Sequence, residues 1–294
     1  MKNIFKSSVA ILIGLSLTVA GCKKSSSSSD TNNNNNNGVP VVPTTFSQKV
    51  LLEEFTGAWC GWCVDGHYNV SQIHSINPDM IPVLIHQGDG MELPEFNSYY
   101  NPTFNVTGFP TATVQRTKGA DGKYPQSRPW NTLVANAYMA KPVLGLSIDA
   151  TMVEDPSTVT PKIKIAFNAD VTEVLNIGVY IVEDSVSGTG SAYDQSNYLA
   201  GRAGYESNPF YKLPGKIVGY KHNHVLRRTL YPSPAGSVLD ATLTKKGGVI
   251  EFSKMFSYAG FVKDNCSIIA FVHTPGGKIY NAQIVKIGKA KAWD

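Results

Sequence analysis

The feature that most limits how this chain can fold is Phe55-Thr56-Gly57-Ala58-Trp59-Cys60-Gly61-Trp62-Cys63, which joins an apolar run to a stretch of helical spacing. The run, Val50-Leu51-Leu52-Glu53-Glu54-Phe55, is continuous rather than alternating, as in a strand covered on both faces. After the cysteines, Val64, Tyr68, Val70, Ile73 and Ile76 fit one helix face until Asn77-Pro78 stops it. Two cysteines separated by two residues at a strand-to-helix junction read as a redox pair. A thiolate at a helix N-terminus faces unpaired N–H groups and the positive end of the macrodipole, which lowers its pKa and makes it a nucleophile. A second thiol one turn on lies close enough to resolve a mixed disulfide.

The flanks bound the rest. Lys2 and Lys6 precede the apolar stretch Val9 to Ala20, so residues 1–21 read as a signal peptide. Val19-Ala20-Gly21-Cys22 resembles a bacterial lipobox, which implies that the mature chain begins at a lipidated Cys22. Residues 22–45 hold runs of serine and asparagine with almost nothing to bury, and read as a disordered tether. The formal charge of +4 is modest and partly due to leader and tether lysines, which argues against a nucleic-acid partner. Of the 4 cysteines, Cys266 stands alone at the start of an apolar strand and reads as buried and inert.

A first domain is expected over residues 46–141. Ile81 to His86 is a second buried strand, 87–102 an inserted loop with short helical turns, and Ala112 to Arg116 a third strand after Gly108-Phe109-Pro110-Thr111. Ser127 is positioned to cap a last helix, with Pro129 in its first turn and Trp130, Leu133, Val134, Ala137 and Tyr138 on one face. This order, with the Trp59-to-Cys63 pair and the Gly-Phe-Pro-Thr loop, resembles the α/β thioredoxin fold. Trp62 stands where that family usually has proline. The resemblance implies that Cys60 attacks, Cys63 resolves, and Glu54 takes the resolving thiol's proton. It also implies that Trp59, Trp62, Phe109 and Pro110 flank the substrate strand, the loop before Pro110 lending its backbone.

Other chemistries fit less well. A zinc knuckle needs two further ligands, covalent haem attachment needs histidine where Val64 stands, and no cofactor or metal is called for. A permanently oxidised structural pair stays open. His67, one turn after Cys63, is placed either to tune the thiol or to sit in solvent.

A second domain is expected over residues 142–294. Leu144 to Ala150, Lys162 to Phe167, Ile177 to Val182, Val225 to Leu230, Gly248 to Phe252, Ser267 to His273 and Ile279 to Ile287 alternate or run apolar over strand lengths. They read as an all-β antiparallel sandwich. Asp184 to Pro214 is a long polar insertion suited to binding. His222 and His224 are spaced to share a strand face, with a metal pair as the less favoured reading.

Together with Glu53-Glu54-Phe55-Thr56-Gly57 and His222-Asn223-His224-Val225-Leu226-Arg227, these blocks resemble the Omp28-like outer-membrane lipoproteins of Bacteroidetes. That resemblance implies a cell-envelope or outer-membrane location, periplasm-facing or at the surface, with the membrane reached through Cys22. Two functions follow as expectations. One is a thiol–disulfide oxidoreductase acting on exported cysteine-containing proteins or an envelope redox partner. The other is a binding or adhesion lipoprotein in which the pair is structural.

Overall fold

A computed structural model describes residues 42–119, 121–124, 129–231 and 234–293. The expected signal peptide, Cys22, most of the tether and the capping Ser127 lie outside the described residues.

The apolar run forms β1 (Val50–Thr56), and the period of two sorts its side chains. Val50 and Leu52 face α1 (Cys63–Ile76), packing with its Val70 and Ile73, whereas Leu51 and Phe55 face the opposite core. Glu54 and Thr56 therefore fall on the α1 side and Glu53 on the other. Helix α1 ends where the Asn77 amide bonds back to the Ile73 carbonyl. β2 (Met80–His86) lies parallel to β1, Val50 opposite Met80 and Thr56 opposite His86. β3 (Thr111–Val114) is antiparallel to β1 and shorter than expected, because Gln115 and Arg116 adopt left-handed φ of 50° and 46°. α2 (Trp130–Tyr138) follows Pro129, which occupies its N-cap rather than its first turn, and buries Trp130 and Val134 against β1 and β3.

All seven strands read in the C-terminal half form: β4 (Leu144–Asp149), β5 (Lys162–Phe167), β6 (Asn176–Glu183), β7 (Val225–Thr229), β8 (Val249–Ser253), β9 (Cys266–His273) and β10 (Ile279–Lys286). A short β11 (Ala290–Lys291) follows. They do not close a sandwich of their own. β7 joins β2 in parallel, Val225 opposite Leu84, giving a mixed sheet of order β10-β9-β6-β7-β2-β1-β3, with Ser237–Val238 pairing onto β6. β8-β5-β4-β11 form a second, four-stranded sheet. Leu146, Ile148 and Ile165 of that sheet pack on Val179, Ile268 and Ala270. The other face of the large sheet, Tyr180 and Phe271, packs with Phe55, Phe96 and Tyr100.

The large sheet thus crosses the expected boundary at 141/142, and Val41–Asp294 cluster as one unit. A buried charge bolts the junction. Arg116 Nε and Nη2 each donate to Glu53 at 2.7 Å, Nη2 also donates to the Tyr180 hydroxyl at 2.7 Å, and the guanidinium lies between the Phe104 and Phe271 rings.

Candidate functional site

The stretch from Gly57 to Cys63 makes a tight loop off β1 and delivers both cysteines to the start of α1. Cys60 N–H donates to the Gly57 carbonyl and Cys63 N–H to that of Cys60. Cys60 and Cys63 form a disulfide, and both are buried. Asp89, just beyond β2, accepts the Ala58 N–H at 2.7 Å, fixing the loop from below.

The expected binding residues divide into two groups. Trp59 is 45% exposed and meets Phe109 edge-on at 5.4 Å, so these two form one open aromatic rim. The Phe109–Pro110 peptide bond is cis. Pro110 packs on α1 at Gly66, where an added Cβ would come within 2.7 Å of it and would also strike the Glu54 carboxylate. That close approach explains a glycine inside a helix, where it costs about 0.5–1 kcal/mol relative to alanine.

Trp62 lies on the other side, beneath the long insertion. Sequence reasoning marked that insertion as a binding loop; the structure lays it across the disulfide. Ser196 N–H donates to the Ala58 carbonyl at 2.8 Å and Tyr198 N–H to the Gly61 carbonyl at 2.9 Å, while the buried Gln195 amide donates to the Cys60 carbonyl at 3.0 Å. The Tyr198 ring fills the space over Gly61, so any Cβ there would overlap it. Tyr198 and Tyr205 contact the Trp62 ring, Arg202 sits 4.6 Å over it, and Asn208 donates to Asp65 of α1. This segment, 195–208, is a strap over the cysteine loop. It leaves Cys60 only 3% exposed.

Beneath the loop, on the α1 face of the sheet, polar side chains gather. Glu54 is fully buried and its carboxylate lies against Gly66, three residues after Cys63 and hence on the same helix face. His67, one position further, brings Nε2 to 2.9 Å from Thr56 Oγ1 and 4.0 Å from Glu54 Oε1. Its Nδ1 is 3.4 Å from the Tyr220 hydroxyl, and the two rings stack. Burial, and then the neighbouring His86, His222 and His224, push the His67 pKa well below its ordinary value. Burial and the Glu54 charge hold the Tyr220 hydroxyl above its own. His67 and Tyr220 open onto a cleft of about 330 Å³, walled by Tyr68, Leu84, Phe210 and His224.

Sequence reasoning missed His86 and Asp89. His86 Nδ1 lies 2.6 Å from Asp89 Oδ2, and His222 meets His86 edge-on at 5.2 Å. Burial works to raise the Asp89 carboxyl, but the bonds from His86, Ala58 and Met91 outweigh it and hold it below its ordinary value. Burial and His86 bring His222 down to about 4. His222 and His224 do not share a face: His224 takes a left-handed φ of 56° and turns to Asp184 at 3.2 Å, while His222 turns inward to the Tyr193 carbonyl at 2.8 Å. Among the described residues no three metal-binding side chains converge. Cys266 is buried and its thiol is pushed up to about 12 by burial and then by Glu183, so it is inert.

The family model of the outer membrane protein Omp28 matches residues 97–291. The chain belongs to the Omp28 family. The matched region holds the strap, Tyr220 and His222, whereas Glu54, Cys60 and Cys63 lie before it. Membership therefore carries no statement about the disulfide. Among solved structures, the chain is similar to HBP35 of Porphyromonas gingivalis at 19% identity and a TM-score of 0.65, covering 84% of this chain and 77% of that one. That likeness is one of fold. No curated protein matches the chain. Omp28 is an outer membrane family, and among the described residues no helix is long and apolar enough to cross a membrane.

Proposed function

We propose that this Omp28 protein is a thiol–disulfide oxidoreductase of the cell envelope, built on a thioredoxin-like unit over residues 46–141 and lipid-anchored through Cys22. Its substrates are exported cysteine-containing proteins or an envelope redox partner. The observation that carries this reading is Glu54, a fully buried acid set one turn along the helix face from Cys63. Burying a carboxylate is costly, and a purely structural bridge has no use for one there. A resolving thiol does.

In the reductive direction the Cys60 thiolate attacks a substrate disulfide R–S–S–R′, forming a Cys60–S–S–R bond and expelling R′–S⁻, which takes a proton from water. Cys63 then gives its proton to Glu54, and its thiolate attacks Cys60 Sγ. The Cys60–Cys63 bond forms, R–S⁻ leaves and is protonated, and two electrons have passed from the protein dithiol to the substrate. Trp59 and Phe109 supply an apolar rim beside Cys60 for the substrate strand. The strap must part first, because it holds the backbone carbonyls of Ala58 and Gly61.

The same strap favours a second reading, a binding or adhesion protein whose disulfide is structural, since Cys60 is only 3% exposed beneath it. Redox titration of the full chain in glutathione buffers, with alkylation and mass analysis of Cys60 and Cys63, separates the two. A midpoint between roughly −120 and −270 mV supports the oxidoreductase; a pair still oxidised below about −300 mV supports the structural bridge.

A further inference from the structure

We propose that His67 is the exit for the resolving thiol's proton: Glu54 hands it to the imidazole, which releases it into the cleft beside Tyr220. The proposal rests on the oxidoreductase reading and adds a residue and a route that reading does not need.

In the resolving step Glu54 passes a proton on as it takes the one from Cys63, and Glu54 has no surface of its own from which to lose it. Its side chain is 0% exposed, shut in by α1 at Gly66 and by Pro110. His67 is placed where a carrier is required. Nε2 faces Glu54 Oε1 at 4.0 Å and lies 2.9 Å from the Thr56 hydroxyl. Nδ1, on the opposite edge of the same ring, points to the Tyr220 hydroxyl. His67 and Tyr220 both line the cleft of about 330 Å³, so one imidazole lies between the buried acid and the cleft. A proton accepted at Nε2 and lost from Nδ1 leaves the ring neutral in its other tautomer, and the ring returns to the Nδ1–H tautomer before it accepts again.

The surroundings keep it ready. From β1 it faces Glu54 and Thr56, from the end of β2 His86, and from the chain leading into β7 Tyr220, His222 and His224. Burial and the three histidines lower its affinity for a resident proton, so at neutral pH it is the acceptor form that waits beside Glu54. In acid the ring holds its proton and the exit closes. A histidine that only packs would also stack on Tyr220 and bond Thr56, so the test must read proton transfer rather than stability.

The full chain, reduced and desalted, is mixed with the aromatic disulfide dithiobis(nitrobenzoate) in a stopped-flow instrument. Attack by Cys60 releases one thiolate, and resolution by Cys63 releases a second. We expect His67→Ala to leave the first phase unchanged and slow the second on the order of 100-fold at pH 7, the scale of a lost proton-transfer group. Free imidazole, which fits the cleft, then restores the second phase in His67→Ala and leaves the unsubstituted protein unaffected. His67→Gln, which keeps a hydrogen-bonding side chain, serves where alanine impairs folding, and should melt like the unsubstituted protein yet resolve slowly. A second phase of normal rate in both variants overturns the relay alone, as does a slow one in His67→Ala that imidazole fails to restore. An unsubstituted protein that yields no second phase overturns the oxidoreductase reading and the relay with it.

Discussion

Cutting the ring contacts that hold the strap over Gly61 and Trp62 should speed reduction of the disulfide. In Tyr198→Ala/Arg202→Ala, two contacts go: Tyr198 edge-on to Trp62 with centroids 6.0 Å apart, and the Arg202 guanidinium 4.6 Å above the same indole. An aromatic pair contributes about 0.5–1.5 kcal/mol, and a solvent-exposed cation–π contact about 0.5–1 kcal/mol. The backbone bonds from Ser196 and Tyr198 and the Gln195 amide bond to Cys60 remain, so the strap still closes, only less firmly. Together the losses raise the open population roughly 5- to 60-fold, at about 1.4 kcal/mol per tenfold. Where opening and closing outpace chemistry, the rate of reduction follows that population. The assay is reduction by a fixed, low concentration of dithiothreitol, quenched by alkylation and read by mass at Cys60 and Cys63. If the double variant is reduced no faster than the unsubstituted protein, the strap does not control access and the reasoning fails.

Glu54→Gln should leave attack by Cys60 intact but slow resolution by about 100-fold at pH 7, measured as the lifetime of the mixed disulfide; a normal lifetime would remove Glu54 from the mechanism. Arg116→Met strands Glu53 in the core between the two halves and should cost about 3–5 kcal/mol in guanidinium unfolding, with much of it recovered in Arg116→Met/Glu53→Gln. Stability should also fall in acid. Burial brings the His222 and His273 pKa values down to about 4 and lowers that of His67 too, whereas the unfolded chain binds protons at the ordinary value of 6.5. The unfolded state takes up protons first, so the contribution is complete above pH 6.5 and is lost as pH falls from there toward 4, by at most about 1.4 kcal/mol per pH unit for each histidine. Unfolding midpoints that stay level between pH 7 and pH 5 would contradict this.

What could be read from the sequence was local. The limits of β1, α1 and β2 follow from an apolar run, a helical period and Asn77-Pro78, and all seven C-terminal strands announce themselves by composition. Their assembly did not, although part of the signal was present. Lys162-Ile163-Lys164-Ile165 alternates, and β5 has one solvated edge of side chains; Asn176–Glu183 and Cys266–His273 are buried at every position. Continuous runs of that kind mark strands covered on both faces. A two-sheet sandwich, with one face of each sheet in water, gives them too little cover. The second layer is the aromatic cluster of Phe55, Phe96 and Tyr100 from the first half. Treating all seven strands alike hid this.

The site was legible where its residues are neighbours and illegible where the fold brings them together. Cys60, Cys63 and Glu54 are fixed to one another by a strand and a turn. His67 is ambiguous from sequence because its second partner, Tyr220, lies 153 residues further on. Trp62 could be marked as a flanking aromatic, but not as one lying beneath Tyr198 and Arg202, since loop-on-loop contacts leave no periodicity to read.

These distant contributions make physical sense as a set. A strand, a cysteine turn and a helix suffice to place a disulfide over an acid, but they leave two problems: the disulfide is open to any thiol, and the acid has no outlet. The same return of chain, from Asp184 to β7, addresses both. Its outward half lays Gln195, Ser196 and Tyr198 on the cysteine loop, and its inward half brings Tyr220, His222 and His224 against α1 and β2 before pairing Val225 with Leu84. Strap and cleft wall thus belong to one segment, anchored on the edge of β2. On the proposed mechanism that one segment would serve both access to the disulfide and release of its proton. Such sharing requires the C-terminal half to join the first half's sheet rather than hang from it.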